Sequence, residues 1–116
     1  MFDGQLDRVF RALGSTHRRW IIERLQGGDA SVTELAEIFA ISFRGVLDHV
    51  QVLERCGLVR TSKEGTLRIC RLDPDTLLAA EKWMRQTLWR SGRGDRLGSL
   101  PQDWPWRSGQ ERPEGD

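Results

Sequence analysis

The chain has 116 residues, enough for one domain but not for a second core. With 38% hydrophobic and 30% charged residues it is an ordinary globular composition, and a net charge of +1 gives no global attraction to nucleic acid. No apolar run approaches the roughly 20 residues that span a bilayer, and "MFDGQLDRVF" lacks the basic-then-apolar order of an export signal, so the expected location is cytoplasmic.

"LDRVFRAL" places Leu6, Val9, Phe10 and Leu13 at helical spacing on one apolar stripe. "ALGST" breaks that helix, and Ser15 can cap a second one, "THRRWIIERL", which stops before the glycines of "GGD". In "SVTELAEIFA", Ser31 and Glu34 have the spacing of a capping box, predicting a third helix from about Val32 that buries Leu35, Ile38 and Phe39. After a short turn at Ala40 and Ile41, Ser42 caps a fourth helix with an apolar repeat at Val46, Val50 and Leu53 and a stop at Gly57. Two helices joined by so short a turn form a helix-turn-helix.

The pattern then changes to strands. "LVRTSK", a Glu64-Gly65 turn and "TLRICRL" predict a β-hairpin, and "DPDTLLAAEKWMRQTLW" predicts a last helix capped by Asp73, with Leu77, Leu78, Ala80, Met84 and Leu88 on its apolar side. "RSGRGDRLGSL" is ambiguous, since its glycines weaken a helix that Leu97 and Leu100 would continue. The expected domain covers residues 1–100. The segment 101–116, rich in proline, glycine and charge, reads as a disordered tail. The fold expected is mainly α with a small β-hairpin: a winged helix-turn-helix with an additional helix at each end. The apolar faces of those end helices (Leu6, Val9 and Phe10; Trp83, Met84 and Leu88) are expected to cover each other across a two-fold axis in a homodimer.

Charge is concentrated in the middle. Residues 43–72 carry Arg44, Arg55, Arg60, Lys63, Arg68 and Arg71 against Asp48, Glu54 and Glu64, a local excess of three positive charges. With Val46, Val50 and Leu53 inward, the fourth helix turns Phe43, Arg44, Leu47, Asp48 and Gln51 outward. Arg44 can fork onto guanine, Asp48 can accept from cytosine, and Phe43 or Leu47 can pack on a thymine methyl. Ser42 and His49 complete the reading helix, while Arg18, Arg19, Gln51 and the wing residues Lys63 and Arg68 are the candidates for backbone affinity. An alternative stays open, a winged-helix protein-interaction module with weak or no DNA affinity. Salt dependence separates the two, because counterion release makes phosphate-driven affinity fall steeply with salt.

Other chemistry has little support. No Gly-rich phosphate loop or nucleophile–base constellation is identifiable, so no enzyme, catalytic residue or cofactor is expected. Cys56 and Cys70 read as small buried apolar groups rather than a redox pair. Trp20 and Trp83 read as core or dimer packing, Trp89 as the rim of a dimer surface, and Trp104 and Trp106 as folding back onto the dimer or, alternatively, binding a partner.

"FRALGSTHRRWIIERLQGGDASVTELAEIFAIS", then "VLDHVQVLERCGLVR" and "EGTLRICRLDP", resemble the ArsR/SmtB family of bacterial winged-helix repressors over roughly residues 5–90. The resemblance implies a homodimer that binds a palindromic double-stranded DNA operator and represses transcription until an effector, unknown here, releases it. His49 matches a histidine common in the family's reading helix. Metal-sensing members carry Cys-x-Cys at the start of the third helix, where this chain has Ser31, Val32, Thr33 and Glu34, or Asp and His ligands on the last helix, where residues 74–100 contain no histidine. Zinc and thiophilic metals need converging N or S ligands, so no metal site is expected, and the chain is closer to the metal-independent branch.

Overall fold

The computed structural model describes residues 4–91. Its elements run α1 (Gly4–Leu13), α2 (Thr16–Leu25), β1 (Ala30–Ser31), α3 (Val32–Phe39), α4 (Phe43–Arg55), β2 (Val59–Glu64), β3 (Leu67–Leu72) and α5 (Pro74–Arg90). The described residues divide after Ala80 into two units, each taken by itself. The expected tail from 101 onward, with Trp104 and Trp106, and the ambiguous stretch with Leu97 and Leu100 lie outside the described residues. No helix among the described residues is long and apolar enough to cross a membrane.

Local chemistry starts the helices where the sequence predicts. The Ser15 hydroxyl accepts from the Arg18 amide, Ser31 and Glu34 make both bonds of a capping box, and the Ser42 hydroxyl accepts from the Gly45 amide. Each bond satisfies an amide that the first helical turn leaves without an intrahelical partner. The turn between α3 and α4 depends on two close backbone features. Ala40 adopts a left-handed conformation (φ 55°) that ends α3. Gly45 then packs so near Ile41 that a Cβ there would lie 2.9 Å from the Ile41 side chain, so the turn is tight because residue 45 has none.

The core of the first unit draws on every element of the fold. Val9 and Ala12 of α1, Ile21, Ile22 and Leu25 of α2, Val32 and Leu35 of α3, and Val46, Val50 and Leu53 of α4 close around Leu58, Val59, Cys70 and Ala80. At ~25 cal/mol per Å² of apolar surface removed from water, this burial aims α4, since its inward stripe leaves its opposite side no choice but solvent.

The sheet has three strands in the order β1-β3-β2, all antiparallel, with Ala30 opposite Cys70 and Lys63 opposite Arg68. The two-residue strand β1 escapes prediction because Ala30-Ser31 is too short to show alternation. The hairpin turn is Gly65-Thr66, one residue later than expected, because Glu64 still pairs with Leu67 and Gly65 takes φ 66°.

Several packing expectations change. Val9, expected on the dimer face, is buried within its own protomer, at 1% exposure, as a member of the core cluster. Ile38, expected inside, is 51% exposed, because the eight-residue α3 turns only Val32 and Leu35 fully inward. Trp20 is also exposed and stacks on the half-buried Phe39, with ring centroids 5.9 Å apart, rather than entering the core.

Candidate nucleic-acid interface

Three elements build one polar surface. The caps and inward stripe of α4 expose Ser42, Phe43, Arg44 and Asp48, with Gln51 half-buried beside them. Arg44 Nε stands 3.4 Å from Asp48 Oδ1, one helical turn on, and both side chains are largely in solvent. An exposed pair of this kind contributes only a few tenths of a kcal/mol to stability. Its more consequential effect is to restrain the guanidinium.

Leu47 does not sit fully on the outward arc. It is half-buried and packs against the core, since 100° per residue brings it round toward the Val50 side. Phe43, by contrast, is 53% exposed and meets the wing. With Thr33, Lys63, Thr66, Leu67 and Arg68 it lines a cleft of about 220 Å³ between the start of α4 and the hairpin tip. Thr33, Thr66 and the exposed Leu67 are the members that the sequence did not point to; for Leu67 the available signal was its place beside a hairpin turn, where a strand runs beyond the core.

The wing is held by side-chain bonds on both faces. On one, Arg68 donates to the Thr61 hydroxyl (3.0 Å), which donates to Glu54 of α4 (2.7 Å). On the other, Arg71 bridges Glu64, Ser62 and Asp29, and its two carboxylate partners hold its proton more firmly than in a free side chain. Lys63, across from Arg68 at the tip, is exposed.

Two residues expected at the DNA surface have interior duties. The Arg18 guanidinium donates from Nε to the Ala12 carbonyl (2.7 Å) and from Nη2 to the Arg11 carbonyl (3.4 Å), while Nη1 lies 3.3 Å from His49 Nδ1. It satisfies the carbonyls that the C-terminus of α1 leaves open, so it is a clamp between helices and not a free phosphate contact. His49 is half-buried and stacks on His17 at 5.5 Å. Burial, then the Arg18 charge and His17, hold its pKa below the ordinary range despite Asp48, so a neutral ring accepts from Arg18. His49 therefore ties α4 to α2 through Arg18. Arg19 is exposed and donates to the Leu13 carbonyl at 2.6 Å, which uses one of its nitrogens.

Among the described residues no three His, Cys, Asp or Glu side chains gather at one point. Cys56 and Cys70 are both free thiols in the core. Desolvation pushes Cys70 up to about 11 against the pull of Arg68.

No protein-family model matches the chain. It is 41% identical over 73 residues to the HTH-type transcriptional regulator Rv2034 of Mycobacterium tuberculosis, covering 63% of this chain and 68% of that one. It is 35% identical to an ArsR family transcriptional regulator, RHA00566, whose crystal structure superposes with a TM-score of 0.70 over 78% of this chain and 96% of the other. The chain belongs to the ArsR family. It is also similar to the transcriptional repressor SdpR of Bacillus subtilis, at 28% identity over 68% of this chain and 88% of SdpR. The homodimeric winged helix-turn-helix DNA-binding domain Mb0332 of Mycobacterium bovis matches with a TM-score of 0.61 at 26% identity, over 76% of this chain and 83% of that one. The protein is accordingly a winged-helix transcriptional regulator, in which α3 and α4 form the helix-turn-helix and β2 and β3 the wing.

Proposed function

We propose that this ArsR-family regulator is a homodimeric repressor that binds an inverted-repeat DNA operator with α4 in the major groove and the wing on the backbone. The observation that carries the reading is the exposed Arg44–Asp48 pair, standing on the open side of a helix whose other side is locked into the core, next to a wing tip bearing Lys63 and Arg68. A helix held this firmly can present forked donors and an acceptor to base edges. Repression is the activity named for SdpR, and homodimerisation that named for Mb0332. The exposed Met84 and Leu88 of α5, together with Trp83 and with Leu6 and Phe10 of α1, are the residues assigned to the dimer surface. The absence of Cys-x-Cys before α3 and of any histidine in 74–100 supports control by something other than the family's metal sites.

Selecting bound fragments from a random DNA pool with the full chain tests this. The expected product is an inverted repeat with half-sites about 10 base pairs apart, or a multiple, bound with an affinity that falls steeply with salt. Failure to enrich any sequence, with no salt-dependent DNA binding, would leave the interaction-module reading in its place.

A further inference from the structure

The ten arginines of residues 4–80 divide into three groups. Arg18, Arg19 and Arg24 donate to backbone carbonyls. Arg44, Arg60 and Arg71 pair with carboxylates, and Arg68 donates to Thr61. The three that remain, Arg8, Arg11 and Arg55, make no such bond among the described residues, and all three line a single cleft of about 210 Å³ with Val52 and Cys56. We propose that this cleft, between α1 and the last turn of α4, binds a small organic anion: an oxyanion (carboxylate or phosphate) on a short apolar body.

The chemistry of the lining selects that class. Three like charges brought together without an acid repel one another, and an anion between them removes the repulsion. Guanidinium groups present planar forks that match a carboxylate or phosphate with two parallel hydrogen bonds. The floor is apolar, since Cys56 is 2% exposed and Val52 is half-buried against the core, so a purely inorganic ion would leave it wet. The volume lies under the roughly 300–1,000 Å³ of sites that hold drug-sized molecules, so the body must be small. The C-terminal ends of α1 and α4 both approach the cleft and carry partial negative charge, and the cluster must outweigh them, which favours two or more of the arginines acting together. At about 100° per residue, Arg8 and Arg11 face away from Leu6 and Phe10 on α1, so self-association through the latter leaves the cleft open.

The inference does not depend on DNA binding, but Arg55 shares the outer stripe of α4 with Arg44, so a DNA phosphate is the rival occupant. The test titrates phenyl phosphate, benzoate, inorganic phosphate and benzyl alcohol into the full chain, followed by calorimetry and by amide NMR shifts. Phenyl phosphate or benzoate should saturate at one per chain, with shifts centred on Arg8, Arg11 and Arg55. Inorganic phosphate should bind at least tenfold more weakly, and benzyl alcohol should not saturate. The double variant Arg8→Gln, Arg55→Gln should lose at least tenfold in affinity with its melting temperature unchanged; should it melt early, Arg11→Lys, which keeps the charge but loses the fork, should show the same direction of loss. No saturable binding of either aromatic anion, shifts centred elsewhere, or equal affinity in the variants would overturn the proposal. So would variants that lose affinity and salt slope for DNA while wild type binds neither aromatic anion, since the cluster would then be a backbone contact.

Discussion

Arg18 Nη1 and His49 Nδ1 stand 3.3 Å apart, joining α2 to the middle of α4 across 31 residues of chain. The same guanidinium closes the C-terminus of α1 through Ala12 and Arg11. Arg18→Ala removes these bonds at once and leaves half-buried acceptors with fewer partners, which costs about 1–3 kcal/mol. Thermal melting of the variant should show that loss. DNA affinity measured well below the melting temperature should change far less than for a direct phosphate contact.

The same pair gives stability a pH dependence. The His49 pKa in the folded chain lies below its ordinary value of 6.5, chiefly through burial and then Arg18 and His17, with Asp48 opposing. The unfolded chain therefore binds a proton that the folded chain resists, and stability contributed by neutral His49 is complete above about 6.5 and lost as pH falls toward the lower folded value. Melting temperature should fall through that window in the wild type, and His49→Asn should flatten the dependence. An equal slope in both proteins would assign the effect to another group.

Val9 and Met84 separate folding from assembly. Val9→Ala empties core volume inside one protomer and should cost roughly 0.5–2 kcal/mol by the cavity rule, with oligomeric state unaltered. Met84 is 48% exposed in the protomer, so Met84→Glu should leave each protomer folded. Sedimentation should then show monomers, because an unpaired charge has entered the proposed apolar dimer surface. A dimer from Met84→Glu as tight as wild type would exclude this residue from the interface.

Lys63 and Arg68 lie opposite each other at the wing tip. Replacing either with Ala should weaken binding to all DNA sequences about equally and reduce the salt slope by about one. Arg68→Ala should have a further effect, since it also releases Thr61 from its bridge toward Glu54 of α4. Loss confined to the preferred sequence would mean that the wing reads bases.

The order of helices, the three serine caps and the inward stripe of α4 were legible because each depends on local chemistry: an oxygen three residues before an amide, or apolar groups every third or fourth residue. What sequence missed depends on distant partners. Nothing near Arg18 in the chain shows that its guanidinium closes α1 and meets a histidine on α4, and periodicity assigns Val9 and Phe10 to one stripe although Val9 is fully buried and Phe10 only partly so. Of the residues lining the cleft beside α4, Phe43, Lys63 and Arg68 were named from the sequence. Leu67 was not, because its exposure arises only when the hairpin carries it past the core to face Phe43.

The pair on the reading helix makes the sharpest prediction about specificity. Asp48 carries a charge that DNA phosphates repel, and its bond to Arg44 at the surface adds little stability in return. A carboxylate there is better accounted for by selection: it can accept from a cytosine amino group, or hold Arg44 so that its fork meets guanine N7 and O6. The two variants then behave oppositely. Arg44→Ala should abolish discrimination among operator sequences, at a cost of about 1–3 kcal/mol for the lost bidentate contact, while leaving non-specific binding nearly intact. Asp48→Ala should keep or raise overall affinity, because a repulsive charge has gone, yet bind a broader set of sequences, because Arg44 is no longer aimed. Both variants should be assayed against a library of operator variants at two salt concentrations, so that the backbone contribution is separated from the base contribution. Unchanged preferences in both would mean that this face of α4 does not read DNA.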